Sequence, residues 1–122
     1  MQSQNLSYGY DYIFSTDRGH KFIFNGHEYS IDCYGYLLSP QEWDRNFAEG
    51  MAKEMGINQK LAIIHWKVID YLRQYYKKYK NCPPIFDVLY DNDLTMSEFY
   101  DLFPYGFQKC ACKISGLTQS SM

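Results

Sequence analysis

The sequence contains no long hydrophobic run, little proline and no large excess of charge of either sign. None of its apolar stretches approaches the roughly 20 residues that a membrane-spanning helix needs. Its 122 residues include 12 basic and 14 acidic side chains, which give a formal net charge of −2. Because these charges are interspersed, bulk electrostatics gives no support to nucleic-acid binding. We therefore expect a protein with no membrane segment and no strongly basic face.

Several patterns of catalytic chemistry are also missing. The sequence has no Ser-His-Asp order, no phosphate-binding glycine loop and no paired-carboxylate pattern. The N-terminus lacks the basic and apolar regions of a signal peptide. We therefore expect a cytoplasmic protein whose cysteines are reduced at rest. Two disulfides are the alternative, which the missing signal argues against. The four cysteines are Cys33, Cys82, Cys110 and Cys112.

What the sequence does contain is a high proportion of aromatic residues, 19%, in a chain long enough for one domain. Residues 1–19 are rich in Ser, Gln, Asn, Tyr and Gly and predict a loosely ordered N-terminal arm. Residues 20–117 predict the single domain, and residues 118–122 a short tail. Within residues 20–31, the turn Asn25-Gly26 between strand-forming flanks predicts a β-hairpin.

Capping signals and apolar spacings predict a series of helices after the hairpin. Ser39 starts a first predicted helix, which ends near Gly56. Asn58 is the predicted cap of a longer central helix that reaches Tyr79, and Thr95 caps a later short one. The predicted short helices cover residues 85–90, 96–103 and 107–115. Because such helices must cover one another's apolar stripes, the fold is predicted to be mostly α (α+β), a small helical bundle with an N-terminal β-hairpin.

Cys110 and Cys112 form a Cys-x-Cys pair near the C-terminus, between Lys109 and Lys113. A nearby cation lowers the pKa of a thiol and favours the reactive thiolate. Two positions along an α-helix turn by about 200°, so we expect one thiol to face the core and the other solvent. That arrangement disfavours a disulfide or a shared metal ion. A buried, inert cysteine is the alternative for each of them.

Other residues suggest alternatives of a different class. A zinc site built from the cysteines and a histidine lacks the usual paired spacing, so no metal or cofactor is predicted. His65 is interpreted as a packed, hydrogen-bonded side chain, with proton transfer as the alternative. Lys77, Lys78 and Lys80 complement the C-terminal end of the central helix. Contact with DNA phosphates is their alternative role, against which the acidic balance argues.

Three stretches carry a more specific pattern. The first stretch is Asp32 to Leu37 with Trp43. The second is Gly56-Ile57 with His65-Trp66-x-Val68-Ile69 and Leu72-Arg73-x-Tyr75-Tyr76. The third is Leu102-Phe103-Pro104-x-Gly106 with Ala111-Cys112-Lys113-Ile114-x-Gly116-Leu117. Together they resemble the DsrC/TusE family of sulfur-relay proteins, which includes the gamma subunit of dissimilatory sulfite reductase. The resemblance covers the chain from about residue 22 to residue 117.

The resemblance implies a small, mostly helical fold with an N-terminal β-hairpin and a helix-turn-helix-like pair. Members carry sulfur as a persulfide or trisulfide between a sulfurtransferase complex and a downstream acceptor protein, in tRNA thiolation or dissimilatory sulfur metabolism. It therefore implies a sulfurtransferase-type sulfur carrier rather than an enzyme that turns over. Cys112 matches the position of the family's second cysteine, and Cys110 is the other candidate thiol.

The sequence also departs from the family pattern. After Gly116-Leu117 the family usually continues with a Pro-Lys-Pro type tail and a working cysteine, whereas Thr118 to Met122 contains none. The family often has an arginine where this chain has Phe86. These departures motivate an alternative function, a relay-incompetent homologue that acts as a regulatory partner- or DNA-binding protein.

Overall fold

The computed structural model describes residues 12–16 and 19–117. A three-stranded antiparallel sheet comes first along the chain, with the strands in sequence order. Four α-helices and one π-helix follow, which confirms the predicted α+β class. The elements are β1 (Tyr12–Thr16), β2 (Gly19–Phe24), β3 (His27–Ile31), α1 (Arg45–Glu54), α2 (Ile63–Tyr79), α3 (Ile85–Asp91), α4 (Met96–Leu102) and the π-helix Phe107–Cys112.

The predicted hairpin is present as β2 and β3. Asn25 and Gly26 form its turn with φ angles of 53° and 79°, the left-handed values that a tight two-residue turn requires. Within the predicted N-terminal arm, Tyr12–Thr16 pairs along β2 as strand β1. Backbone hydrogen bonding to the edge of the hairpin gives this segment a partner. The remainder of the predicted arm and the predicted tail lie outside the described residues.

Helix α1 begins later than the sequence predicts. Ser39 makes no capping hydrogen bond, and Pro40–Glu42 forms a separate 3-10 turn. The cap is Asp44, whose side chain accepts a hydrogen bond of 2.8 Å from the backbone N–H of Phe47. Because the carboxylate of Asp44 is charged, it is a stronger hydrogen-bond acceptor than the hydroxyl of Ser39, five residues earlier. Asp44 is therefore the residue that caps the helix.

Helix α2 also begins later than predicted. It starts at Ile63 rather than after Asn58, and its first turn is closed by the Nδ1 atom of His65, which accepts the N–H of Ala62 at 2.9 Å. A side chain inside the helix thus replaces the predicted cap. The predicted capping box of α4 is confirmed, with Thr95 and Glu98 exchanging hydrogen bonds of 2.9 and 3.1 Å. The last predicted helix is present mainly as a π-helix, in which the N–H of Ala111 bonds Gly106 five residues back.

The sheet packs against α1 through a cluster of aromatic rings. Phe47 contacts Phe22 and Tyr29 edge-on, with ring centroids 5.7 and 5.2 Å apart. Such edge-to-face pairs add to the free energy gained by burying the rings. A continuous core joins this cluster to α2 and to the π-helix. Within the described residues, no helix is long and apolar enough to cross a membrane.

Candidate functional site

The end of the π-helix and the residues after it are held by two side chains from distant stretches of sequence. The indole Nε1–H of Trp43 donates to the carbonyl of Ile114 at 2.9 Å, and Arg73 Nη1 donates to the carbonyl of Ser115 at 2.9 Å. The Arg73 guanidinium also lies 4.0 Å from the centre of the Trp43 ring, in cation–π geometry. Gly116 packs so closely against this ring that an added Cβ would overlap it. The backbone after the π-helix is therefore fixed in place.

The other end of the same C-terminal segment is held by His65. This side chain is buried, and its Nε2 lies 3.0 Å from the carbonyl oxygen of Leu102. Because Nδ1 already accepts a backbone N–H, Nε2 must carry the proton and donate to Leu102. Burial also lowers the pKa of His65, which keeps the ring neutral. The interpretation of His65 as a packed, hydrogen-bonded histidine is confirmed.

The loop after β3 covers a third side of the π-helix. The carboxylate of Asp32 accepts the N–H groups of Tyr34 and Tyr36 at 2.8 and 3.0 Å, which shapes a tight turn. The Tyr36 hydroxyl then donates to the carbonyl of Gln108 at 3.0 Å. The ammonium group of Lys113 lies 5.0 Å from the Tyr36 ring. The stretches singled out in the sequence thus converge on the π-helix.

Two thiols meet at this convergence. The Sγ atoms of Cys82 and Cys112 lie 3.7 Å apart, although the residues are 30 positions apart in sequence. Cys112 belongs to the π-helix and is fully buried, whereas Cys82 lies on the loop after α2 and is partly exposed. No spacing signal in the sequence marks this pair, because the contact is made only by tertiary packing.

The hydrogen bond between the two thiols shifts their pKa values in opposite directions. The pKa of Cys82 is lowered by its hydrogen bond with Cys112, against the opposing effect of burial. The pKa of Cys112 is raised, first by the same hydrogen bond and then by burial. Because Cys82 is the less buried group, it holds a negative charge more easily, and the Cys112 thiol is the donor when Cys82 is ionised. Cys82 is therefore the more nucleophilic thiol of the pair.

The expectation that one of Cys110 and Cys112 faces solvent is wrong, because both side chains are fully buried, as in the alternative given for each of them. The π-helix that carries them is covered on several sides, so both thiols lie in the core. Burial raises the pKa of Cys110 to about 11, despite the opposing effects of a backbone hydrogen bond at Tyr105 and the charge of Lys113. Cys110 is therefore a protonated core thiol. Cys33 lies exposed in the turn after β3, and all four cysteines are free.

The three lysines at the end of α2 do not form one surface. Lys77 and Lys80 line a groove of about 570 Å³ together with Arg73. Lys78 lies on a different side, over the ring of Tyr79 at 5.1 Å. The basic surface available to a phosphate backbone is thus smaller than the sequence suggests. Across the residues that the structure describes, no group of three or more His, Cys, Asp or Glu side chains is placed to hold a metal ion.

Together, the fold and this site define a small α+β protein with a thiol pair at the junction of three packed segments. Residues 23–121 match the family model described as DsrC like protein. The chain belongs to this family, as the sequence resemblance indicated.

Known relatives agree with this assignment. The chain is 33% identical over 94 residues to the dissimilatory-type sulfite reductase subunit gamma of Nitratidesulfovibrio vulgaris, covering 77% of this chain and 89% of that protein. It is 36% identical over 101 residues to the sulfurtransferase TusE of Sodalis glossinidius, covering 77% and 92%. Among solved structures, it is similar to the oxidized gamma subunit of the dissimilatory sulfite reductase (DsrC) from Archaeoglobus fulgidus. That match has a TM-score of 0.72 and 34% identity, and covers 80% of this chain and 93% of the other.

Proposed function

We propose that this protein is a sulfur-relay protein that carries sulfur as a persulfide on Cys112 and delivers it to a downstream acceptor. Relatives named as a sulfurtransferase and as a sulfite reductase subunit support this class of function. The observation that carries the proposal is the packing of Cys112 beside a second thiol, at the point where the family's three stretches meet. The sulfur serves either tRNA thiolation or dissimilatory sulfur metabolism.

Burial gives Cys112 a property that a carrier needs. A persulfide in solution is rapidly attacked by free thiols, and such exchange requires access to the sulfur atoms. Cys112 is fully buried, so sulfur held there is shielded from small thiols until a partner docks. Cys110 is equally buried, but its thiol hydrogen-bonds a backbone group at Tyr105 instead of a second thiol, which favours the inert alternative for it.

The partners follow from the same chemistry. A sulfurtransferase that carries its own persulfide is the donor, and a second protein thiol is the acceptor. The groove lined by Arg73, Lys77 and Lys80 provides positive charge next to the loop that holds Cys82. Charge of this kind accelerates the encounter with an anionic donor surface and fixes its orientation. An acidic face on the sulfurtransferase is therefore the proposed contact.

A mass measurement tests the carrier function. The protein is incubated with glutathione persulfide, separated from the donor, rinsed with reduced glutathione, and analysed intact and as peptides. We expect the wild type to retain one added sulfur atom at Cys112. Cys110→Ser should retain it as well, and Cys112→Ser should not. A wild type that retains no sulfur would contradict the proposed function, and full retention by Cys112→Ser would show that another residue is the carrier.

The docking surface has a matched pair of variants. Lys77→Glu combined with Lys80→Glu reverses the charge along the groove. We expect this double variant to take up sulfur more slowly from a persulfide-carrying sulfurtransferase with an acidic face. Lys78→Glu makes a single reversal on the same helix but on a different side, and should leave the rate close to that of the wild type. Equal slowing by both variants would contradict a specific role of the groove.

A further inference from the structure

We propose that Cys82 is the thiol that receives sulfur from the donor and passes it to Cys112. The inference rests on the proposed relay function, and it assigns a role to a residue outside the family's three stretches. Cys82 is the outer thiol of the pair, and Cys112 is the inner thiol. The starting observation is that the inner thiol is fully buried while the outer thiol, 3.7 Å away, is partly exposed.

Access decides which thiol meets the donor. Transfer between persulfides requires the attacking sulfur, the attacked sulfur and the leaving sulfur to come into line at bonding distance. A fully buried Sγ atom offers no such approach to a group on another molecule. Cys82 lies between helices α2 and α3, on a loop outside both of them, where a partner can reach it. Sulfur from outside the protein therefore meets the outer thiol first.

The ionisation of the two thiols also favours Cys82 as the thiol that receives the sulfur. Only a thiolate attacks a persulfide efficiently. The hydrogen bond between the two thiols lowers the pKa of Cys82 and raises that of Cys112. The outer thiol is thus the better nucleophile at neutral pH, and the inner thiol supplies the proton that stabilises it.

The first step is a thiolate–persulfide exchange. The Cys82 thiolate attacks the terminal sulfur of the donor R–S–SH. A new S–S bond forms to Cys82 while the S–S bond of the donor breaks, and the donor leaves as the thiolate R–S⁻. The product is the Cys82 persulfide. The step is an exchange, so no oxidant or reductant is consumed.

The second step moves the sulfur inward. The Cys82 persulfide loses its proton to solvent and becomes Cys82–S–S⁻. The Cys112 thiol then gives its own proton to the terminal sulfur, which makes that sulfur electrophilic. The resulting Cys112 thiolate attacks it, the S–S bond to Cys82 breaks, and Cys82 leaves as a thiolate. Atoms, charge and electrons balance, because the step transfers one sulfur atom between two thiols. When an acceptor docks, the reverse step returns the sulfur to Cys82 for delivery.

A time-resolved experiment follows both steps in the full-length wild-type protein. The reaction with glutathione persulfide is quenched with iodoacetamide at intervals, and the peptides containing Cys82 and Cys112 are quantified by mass. We expect sulfur to appear first on Cys82 and later on Cys112. Sulfur that appears on Cys112 with no earlier signal on Cys82 would overturn the proposal. A Cys82–Cys112 disulfide with release of sulfide would overturn it too, since it requires attack on the inner sulfur atom.

Variants provide a second measurement with its own control. Cys82→Ser should slow the loading of Cys112 at least tenfold, and Cys33→Ser, which removes an exposed thiol elsewhere, should load at the wild-type rate. Thermal unfolding verifies that both variants are folded. Unchanged loading of Cys82→Ser would overturn the inference while leaving the carrier function intact. If the wild type takes up no sulfur at all, the carrier function itself fails.

The effect of the hydrogen bond on the Cys82 thiolate can be measured without a persulfide. In the wild type, Cys82 should react with iodoacetamide at a lower pH than in Cys112→Ala, because the variant lacks the S–H donor that stabilises the Cys82 thiolate. The two pH profiles are measured by the mass of the modified peptide. Identical profiles would contradict the role of Cys112 in activating the outer thiol.

Discussion

The two ends of helix α2 both bury polar groups against the C-terminal part of the chain, but they do so in different ways. At the N-terminal end, both ring nitrogens of His65 are paired with backbone groups, at 2.9 and 3.0 Å. At the C-terminal end, the Sγ atoms of Cys82 and Cys112 lie 3.7 Å apart, in hydrogen-bond contact. The buried hydroxyl of Ser115 nearby has no hydrogen-bond partner within the described part of the chain.

This difference separates a structural site from a chemical one. A buried group whose hydrogen bonds are all made is held in a single protonation state and a single orientation. Two thiols in contact can exchange a proton, and when one of them is ionised, the negative charge can move to the other. The His65 end therefore fixes the position of α4 at Leu102, whereas the Cys82 end is suited to group transfer.

The largest effect should come from the crowded backbone at the C-terminal end. Gly116→Ala places a Cβ inside the Trp43 ring at a φ of +77°, so we expect unfolding free energy to fall by about 3 kcal/mol from strain and overpacking together. Urea denaturation measures the change. Gly26→Ala is the matched control, because its φ is +79° but the space around it is open. Equal losses in the two variants would show that the Trp43 contact contributes nothing.

The next effect should come from the opposite end of α2. His65→Leu leaves the N–H of Ala62 and the carbonyl of Leu102 buried without partners, so we expect a loss of about 2–3 kcal/mol. The folded fraction should still take up sulfur at Cys112, which mass analysis under native conditions can verify. His27→Leu alters an exposed histidine and should change stability by less than about 0.5 kcal/mol. Loss of sulfur uptake without loss of stability would contradict a purely structural role.

Alkaline pH should weaken the fold through the buried thiols. Burial raises the pKa of Cys110 from 9.0 to about 11. Above pH 9 the unfolded chain releases a proton that the folded chain retains, so stability falls as pH rises, by at most about 1.4 kcal/mol per pH unit from this group.

Cys110→Ala tests this origin of the alkaline sensitivity. The variant should show a shallower decline of the midpoint of thermal unfolding between pH 9 and pH 11 than the wild type. Cys33→Ala is the control, because that thiol is exposed and its removal should not change the slope. An unchanged slope in Cys110→Ala would assign the sensitivity to other groups, such as Tyr36, whose pKa burial also raises.

The smallest effect should come from Ser115. Its buried hydroxyl finds no partner among residues 12–16 and 19–117, so Ser115→Ala removes a desolvated polar group and should change stability by no more than about 1 kcal/mol, in the stabilising direction. Thr95→Ala removes a hydroxyl that caps α4 at 3.1 Å and should cost about 1 kcal/mol. Calorimetry of both variants gives the sign of each change. Destabilisation by Ser115→Ala would show that the hydroxyl does have a partner in solution.

Local signals explain the parts of the fold that the sequence predicted well. The hairpin follows from Asn25-Gly26, and the start of α4 follows from Thr95 and Glu98, because turns and caps depend on residues a few positions apart. The same local reasoning failed at Ser39 and Asn58. There the competing caps were a carboxylate farther along the chain and a histidine ring inside the helix, and only the folded backbone decides between such alternatives.

The sequence by itself determined the fold class, the family and the segment around Cys112, because these depend on local patterns and on recognisable stretches of residues. Tertiary structure alone decided which thiols meet. The distance between Cys82 and Cys112 is set by the packing of α2 against the π-helix, and the hydrogen bond between them, with their unequal burial, makes Cys82 the easier one to ionise. Such contacts join positions 30 residues apart, and no periodicity in the chain encodes them.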